Sequence, residues 1–109
     1  MTYVIKQLAQ AALTPTPTPI YTAGAGVTTL VKDINVANTA TVSVAVSLHI
    51  VPAGGTPSAS NILFPALPIP PGGLLGWAGS QAIMPGSEII AYASAAGVCL
   101  TVTGAEDQP

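Results

Sequence analysis

From Thr41 to Val51 the chain alternates between two sets of residues without a break. Val42, Val44, Val46, Leu48 and Ile50 form one set, and Thr41, Ser43, Ala45, Ser47 and His49 the other. Successive side chains of an extended backbone point to opposite faces, so period-two alternation predicts a half-buried strand with Ser47 and His49 on its polar face. The same pattern returns near the C-terminus. Ile89 and Ala91 alternate with Ile90 and Tyr92, and Val98, Leu100 and Val102 alternate with Cys99, Thr101 and Thr103. Residues 27–37 also read as a strand, but the adjacent charges Lys32 and Asp33 must face opposite ways, which a β-bulge or an edge position would resolve. Shorter strand pieces are expected at 20–23, 62–64, 67–69 and 74–77, with prolines placing the middle two at an edge. Residues 1–13 are weakly patterned and fit either a strand or a short helix.

Turn chemistry punctuates these segments. Asn38-Thr39-Ala40, the Pro/Gly-rich run at 52–57, Pro70-Pro71-Gly72-Gly73 and Ala95-Ala96-Gly97 all read as turns. Met84-Pro85-Gly86-Ser87 has proline second and glycine third, as a type II turn prefers. In Thr14-Pro15-Thr16-Pro17-Thr18-Pro19 each proline fixes its own φ and holds the preceding threonine extended, which predicts a stiff arm. Seven or eight short strands without a convincing helix predict an all-β fold, an antiparallel β-sandwich or jelly-roll-like barrel. The expected organisation is an N-terminal segment and arm at 1–19, a β-sandwich at 20–104 and a C-terminal tail at 105–109.

Composition agrees with sheet and removes several function classes. Half of the 109 residues are apolar, mostly Ala, Val, Ile and Leu, while only 5% are aromatic. From residue 34 to residue 87 there is no Lys, Arg, Asp or Glu, and charged residues make up only 6% of the chain. Charge on a quarter or more of the surface is what ordinarily keeps soluble proteins apart, so such a run points to a membrane or to packing against other proteins. Residues 62–79 lack any polar side chain, but Pro65, Pro68, Pro70 and Pro71 exclude a membrane-spanning helix there. The start carries no signal-peptide pattern. With two lysines and no arginine, no basic patch exists for nucleic acid. Assembly with other proteins is the remaining expectation.

Candidate chemistry is sparse, and no cofactor, metal site or catalytic group is expected. His49 shares a strand face with Ser43 and Ser47, but a nucleophilic pair needs an orienting acid that the chain hardly offers; a surface or interface histidine is the default. The single Cys99 has no partner for a disulfide or for metal ligation. Glu88, Glu106 and Asp107 would hold calcium only if the fold joined them and further oxygens completed the shell. The contact candidates come from two segments: Pro15, Pro17 and Pro19 of the arm, and Phe64, Leu74, Leu75 and Trp77 of the uncharged segment. Core packing is the competing reading for Phe64 and Trp77, and a plain linker for the arm.

Three stretches carry a family resemblance: LVKDINVANTATVSVAVSLHIVPAGG, LPIPPGGLLGW and MPGSEIIAYASAAGVCLTVTGAE. Together they resemble small all-β virion proteins of tailed bacteriophages, over residues 20–106. The chain departs from that pattern at Ser87, where an aspartate is usual, and in its low charge. The resemblance implies a structural, non-enzymatic role in a virion, with a capsid decoration (cement) protein as the leading form. Its implied partners are the major capsid protein or other virion proteins, and its own copies as a homotrimer, with neither nucleic acid nor membrane. A tail, baseplate or fibre component is the alternative. A carbohydrate-binding β-sandwich module is a further one, for which the chain is poorly equipped with aromatics.

Overall fold

The structure, a computed structural model, describes residues 2–108. Eight strands follow one another: β1 (Thr2–Ala12), β2 (Thr18–Thr22), β3 (Thr29–Asn38), β4 (Val44–Val51), β5 (Ile62–Ile69), β6 (Leu74–Ile83), β7 (Glu88–Ala93) and β8 (Val98–Gln108). They form two four-stranded antiparallel sheets, ordered β1-β8-β3-β6 and β2-β7-β4-β5. Strand β1 pairs with β8, β2 with β7, β3 with β6 and β4 with β5. The first half of the chain therefore folds back along the second like one long hairpin, and rolling that hairpin into two layers gives the jelly-roll arrangement. No helix occurs among the described residues.

The core lies between the sheets. Val31, Ile34 and Val36 of β3 and Val98, Leu100 and Val102 of β8 face Val44, Val46 and Leu48 of β4 and Ile89, Ala91 and Ala93 of β7. Val31 and Ile34 both point inward although three residues apart, because the ladders to β6 and β8 each skip a step between Val31 and Asp33. Of the two solutions open for the Lys32–Asp33 pair, a bulge or an edge position, the bulge is the one present, and it lets both charges leave the core. Four turns share one solution for a reversed chain: Gly26, Gly54, Gly72 and Gly86 have φ of 73°, 75°, 70° and 79°. In each, the residue after that glycine donates its N–H to the carbonyl three residues back, closing a type II turn, including the one expected at Met84–Ser87.

The structure departs from the sequence expectations in four places. Residues 2–12 take the strand of the two forms open to them, but as β1 along the length of β8 they belong to the sandwich and not to a separate N-terminal segment. The Thr-Pro run is likewise not free, since residues 14–17 cross from one sheet to the other and Pro19 lies within β2. Residues 105–108 continue β8 instead of forming a tail, while Met1 and Pro109 lie outside the described residues. The fourth concerns β4, which begins at Val44 and not at Thr41. Its polar face is covered: Ser47, His49 and Val51 are 6%, 4% and 0% exposed. The 52–61 loop closes over that face, with His49 Nδ1 donating to the Ser58 carbonyl (3.1 Å) and to Asn61 Oδ1 (2.9 Å).

Candidate interaction surface

The antiparallel registers sort the connectors into two ends. At one end, β1 and β3 finish opposite the start of β8, and β3 also finishes opposite the start of β6. In the other sheet, β5 and β7 finish there while β2 and β4 begin. Four connectors therefore meet at this end: 13–17, 39–43, 70–73 and 94–97. None of them holds a Lys, Arg, Asp or Glu. The nearest formal charge along β3 is Asp33, five residues before Asn38, or about 17 Å at ~3.3 Å per residue. That exceeds the ~8 Å over which charge is felt at physiological salt. Glu88, at the start of β7, is likewise five residues from that strand's end at Ala93, and the other charges lie further off: Lys32 on β3, Lys6 on β1, and Glu106 and Asp107 at the close of β8.

Asn38 holds the uncharged end together. Its side chain is 2% exposed, and its amide donates to the carbonyls of Ile69 (2.8 Å) and Val42 (2.9 Å), with a longer contact to Pro70 (3.3 Å). Its carbonyl oxygen Oδ1 accepts from the Ala40 N–H at 2.9 Å. Its backbone bonds Gly72 and Gly73 of the neighbouring turn, both at 3.0 Å. Thr39 then joins the third connector, its N–H and hydroxyl donating to the Gly97 carbonyl at 2.8 and 2.7 Å. The fourth is reached through Ala93, whose N–H donates to the Thr14 carbonyl at 3.0 Å. A buried amide with every polar atom engaged fixes its surroundings, so this end is held in one shape.

Two large apolar side chains stand out on it, Val42 at 58% and Leu74 at 70% exposed. At the opposite edge of the same end, across the sheets from Leu74, a slot of about 280 Å³ opens between β1 and β2 under the Thr-Pro crossing, lined by Ala12, Leu13, Thr14, Thr18, Pro19 and Ile20 among others. Of the contact candidates from sequence, Pro15, Pro17 and Leu74 lie exposed here, and Pro19 lines the slot. Leu75 and Trp77 are half-buried against the core, and Phe64, 2% exposed, is part of it. Nothing in the sequence marks Val42 and Asn38 as site residues. Val42 fits the strand alternation too well, and the role of Asn38 depends on carbonyls about thirty positions away.

The opposite end carries the ionic contacts. Lys6 bonds Glu106 at 3.0 Å, Tyr21 donates to the other oxygen of Glu106, and the Thr29 hydroxyl lies 2.6 Å from the Tyr21 oxygen. Burial, and next the Glu106 hydrogen bond, push the Tyr21 phenol up to about 12. This network ties β2 of one sheet to β1, β3 and β8 of the other. Among the described residues, no three of His, Cys, Asp and Glu gather as metal ligands. His49 stacks on Tyr92 with 5.9 Å between ring centres, and Cys99 is exposed and free. No protein-family model, no curated protein and no solved structure matches this chain.

Proposed function

We propose that this chain is a structural protein of a bacteriophage virion, a capsid decoration subunit that docks on neighbouring shell proteins by its uncharged end. The observation that carries the reading is the meeting of four charge-free connectors at that end, laced through Asn38 and presenting Val42, Leu74 and an apolar slot. The buried centre of a protein interface is depleted of charged residues, because each would have to be stripped of water. A pre-shaped neutral end loses little ordering entropy when covered. The resemblance of residues 20–106 to phage virion proteins supplies the setting, and the jelly roll is a fold that virus capsids use among other roles. Binding only the assembled shell stabilises that shell by mass action.

The test compares particles made with and without the protein. High copy number on the capsid, and earlier heat rupture of shells lacking it, support the reading. Leu74→Asp and Val42→Asp should abolish binding to such shells while the isolated protein keeps its melting temperature. Low copy number confined to the tail overturns decoration in favour of a tail component. Absence from particles overturns the virion reading altogether.

A further inference from the structure

The four edges of the sandwich are not closed equally. Strand β2 is five residues long, contains Pro19 and is bulged between Pro19 and Tyr21. Strand β5 contains Pro65 and Pro68, with Ala66 between them at a φ of 50°. Strand β6 contains Gly76 and Gly79 and is irregular opposite Lys32. These devices blunt an edge against further pairing. Strand β1 runs for 11 residues and is regular up to its bulge after Gln7.

That regular part is also the most exposed strand segment of the molecule. Residues 3–7 are all exposed, with Tyr3 at 52%, Val4 at 43% and Ile5 at 83%. Neighbouring side chains point to opposite faces, so exposure at consecutive positions means that both faces are open as well as the free backbone edge. An edge of this kind accepts another strand through its main chain.

The sequence of the segment favours itself as the occupant. We propose that residues 2–6 of β1 pair antiparallel with the same residues of a second copy, across a two-fold axis at Val4. In that register Tyr3 stands opposite the second copy's Ile5, Val4 opposite Val4, and Ile5 opposite Tyr3. Aromatic and β-branched side chains are favoured cross-strand neighbours. Lys6, the only charge on β1, falls opposite position 2. The two lysines are then four positions apart along the strands, about 13 Å at ~3.3 Å per residue. An axis at Lys6 itself would set them face to face. The pairing joins β1-β8-β3-β6 of each copy into one eight-stranded sheet.

Five paired residues cover much less than the roughly 1,200 Å² of a stable complex, so the dimer is weak and forms at high concentration. The proposal does not rest on the virion reading. It also uses β1 for a two-fold, so the homotrimer implied by the resemblance would need another surface.

Sedimentation velocity on the full chain, from micromolar to millimolar, tests it. The expected result is a monomer–dimer equilibrium in which amide exchange slows at residues 3–5 as concentration rises. Ile5→Glu should raise the dimer dissociation constant at least tenfold. Because Ile5 is 83% exposed, that variant should melt at the wild-type temperature. Adding Tyr3→Lys puts a lysine opposite the new glutamate in this register alone, and should restore most of the association. A wild-type chain that stays monomeric throughout overturns the proposal. So does an oligomer of any order that Ile5→Glu leaves intact, or a double variant no better than the single one.

Discussion

The side-chain amide of Asn38, at the end of β3, donates to the carbonyl of Ile69, at the end of β5 in the other sheet, at 2.8 Å. One residue thereby sets how the two layers meet at the uncharged end. Asn38→Ala would leave the carbonyls of Val42 and Ile69 and the N–H of Ala40 without this partner. Buried groups left unsatisfied cost roughly 1–3 kcal/mol, so a loss of about 3 kcal/mol is expected in urea unfolding. Asn38→Asp should be worse at neutral pH, since its carboxylate would face carbonyl oxygens where the amide donated.

The parts of the fold that rest on local chemistry were legible in the sequence. The alternation of β7 and β8 and the Met84–Ser87 turn each follow from residues within a few positions of one another, whereas the adjacent charges Lys32 and Asp33 left a bulge and an edge position equally open. What failed to show depends on distant partners. Strand β1 has no clear period because its first half is exposed on both faces and a bulge follows Gln7. His49 reads as a surface or interface residue because nothing nearby tells that the 52–61 loop folds over it. The absence of charge from 34 to 87 was plain. That the Thr-Pro crossing and the 94–97 turn join that run at one end follows only from the jelly-roll pairing.

His49 works as the latch of the 52–61 loop. With Nδ1 donating to Ser58 and Asn61, its Nε2 is left to accept from the Tyr92 hydroxyl at 3.4 Å. Asn61 in turn donates to the Thr56 carbonyl at 2.9 Å. His49→Ala should open the loop without unfolding the sandwich. Limited proteolysis should then cut within residues 52–61 at least tenfold faster, and global stability should fall by about 2 kcal/mol, the net worth of two hydrogen bonds at ~1 kcal/mol each. Cutting elsewhere first, or at the wild-type rate, would contradict the latch.

Tyr21 makes the fold sensitive to alkali. Its phenol is raised from 10.0 to about 12 by burial and by the Glu106 hydrogen bond, so the folded state favours the protonated form. The stability this gives is complete below pH 10 and drains away as pH rises from about 10 to about 12. The partial exposure of Tyr21 keeps the effect modest. Denaturation midpoints followed across that window should fall in the wild type, and fall less steeply in Tyr21→Phe, which has no phenol to ionise. Equal slopes for both proteins would show that the Tyr21–Glu106 contact does not couple the sheets to pH.

Of the glycines, Gly104 leaves the least room for a side chain. It lies in β8, between Lys6 of β1 and Val31 of β3. A Cβ placed there would come within 2.0 Å of the Leu30 carbonyl oxygen and 3.0 Å of Leu8 Cδ1. The first contact is with backbone, which cannot swing aside as the end of a side chain can. Gly104→Ala must therefore push β3 away from β8 and strain the ladder on both sides of the central strand. Overpacking costs roughly 1–3 kcal/mol, and with backbone in the way the top of that range or more is expected. Gly76→Ala is the matched control, since its Cβ would meet only Asn35 Oδ1 at 3.6 Å, an ordinary contact, on the edge strand β6. A thermal melt lowered by several degrees for the first and nearly unchanged for the second is the expected pair of results; equal melts would mean that β8 and β3 are not held this close.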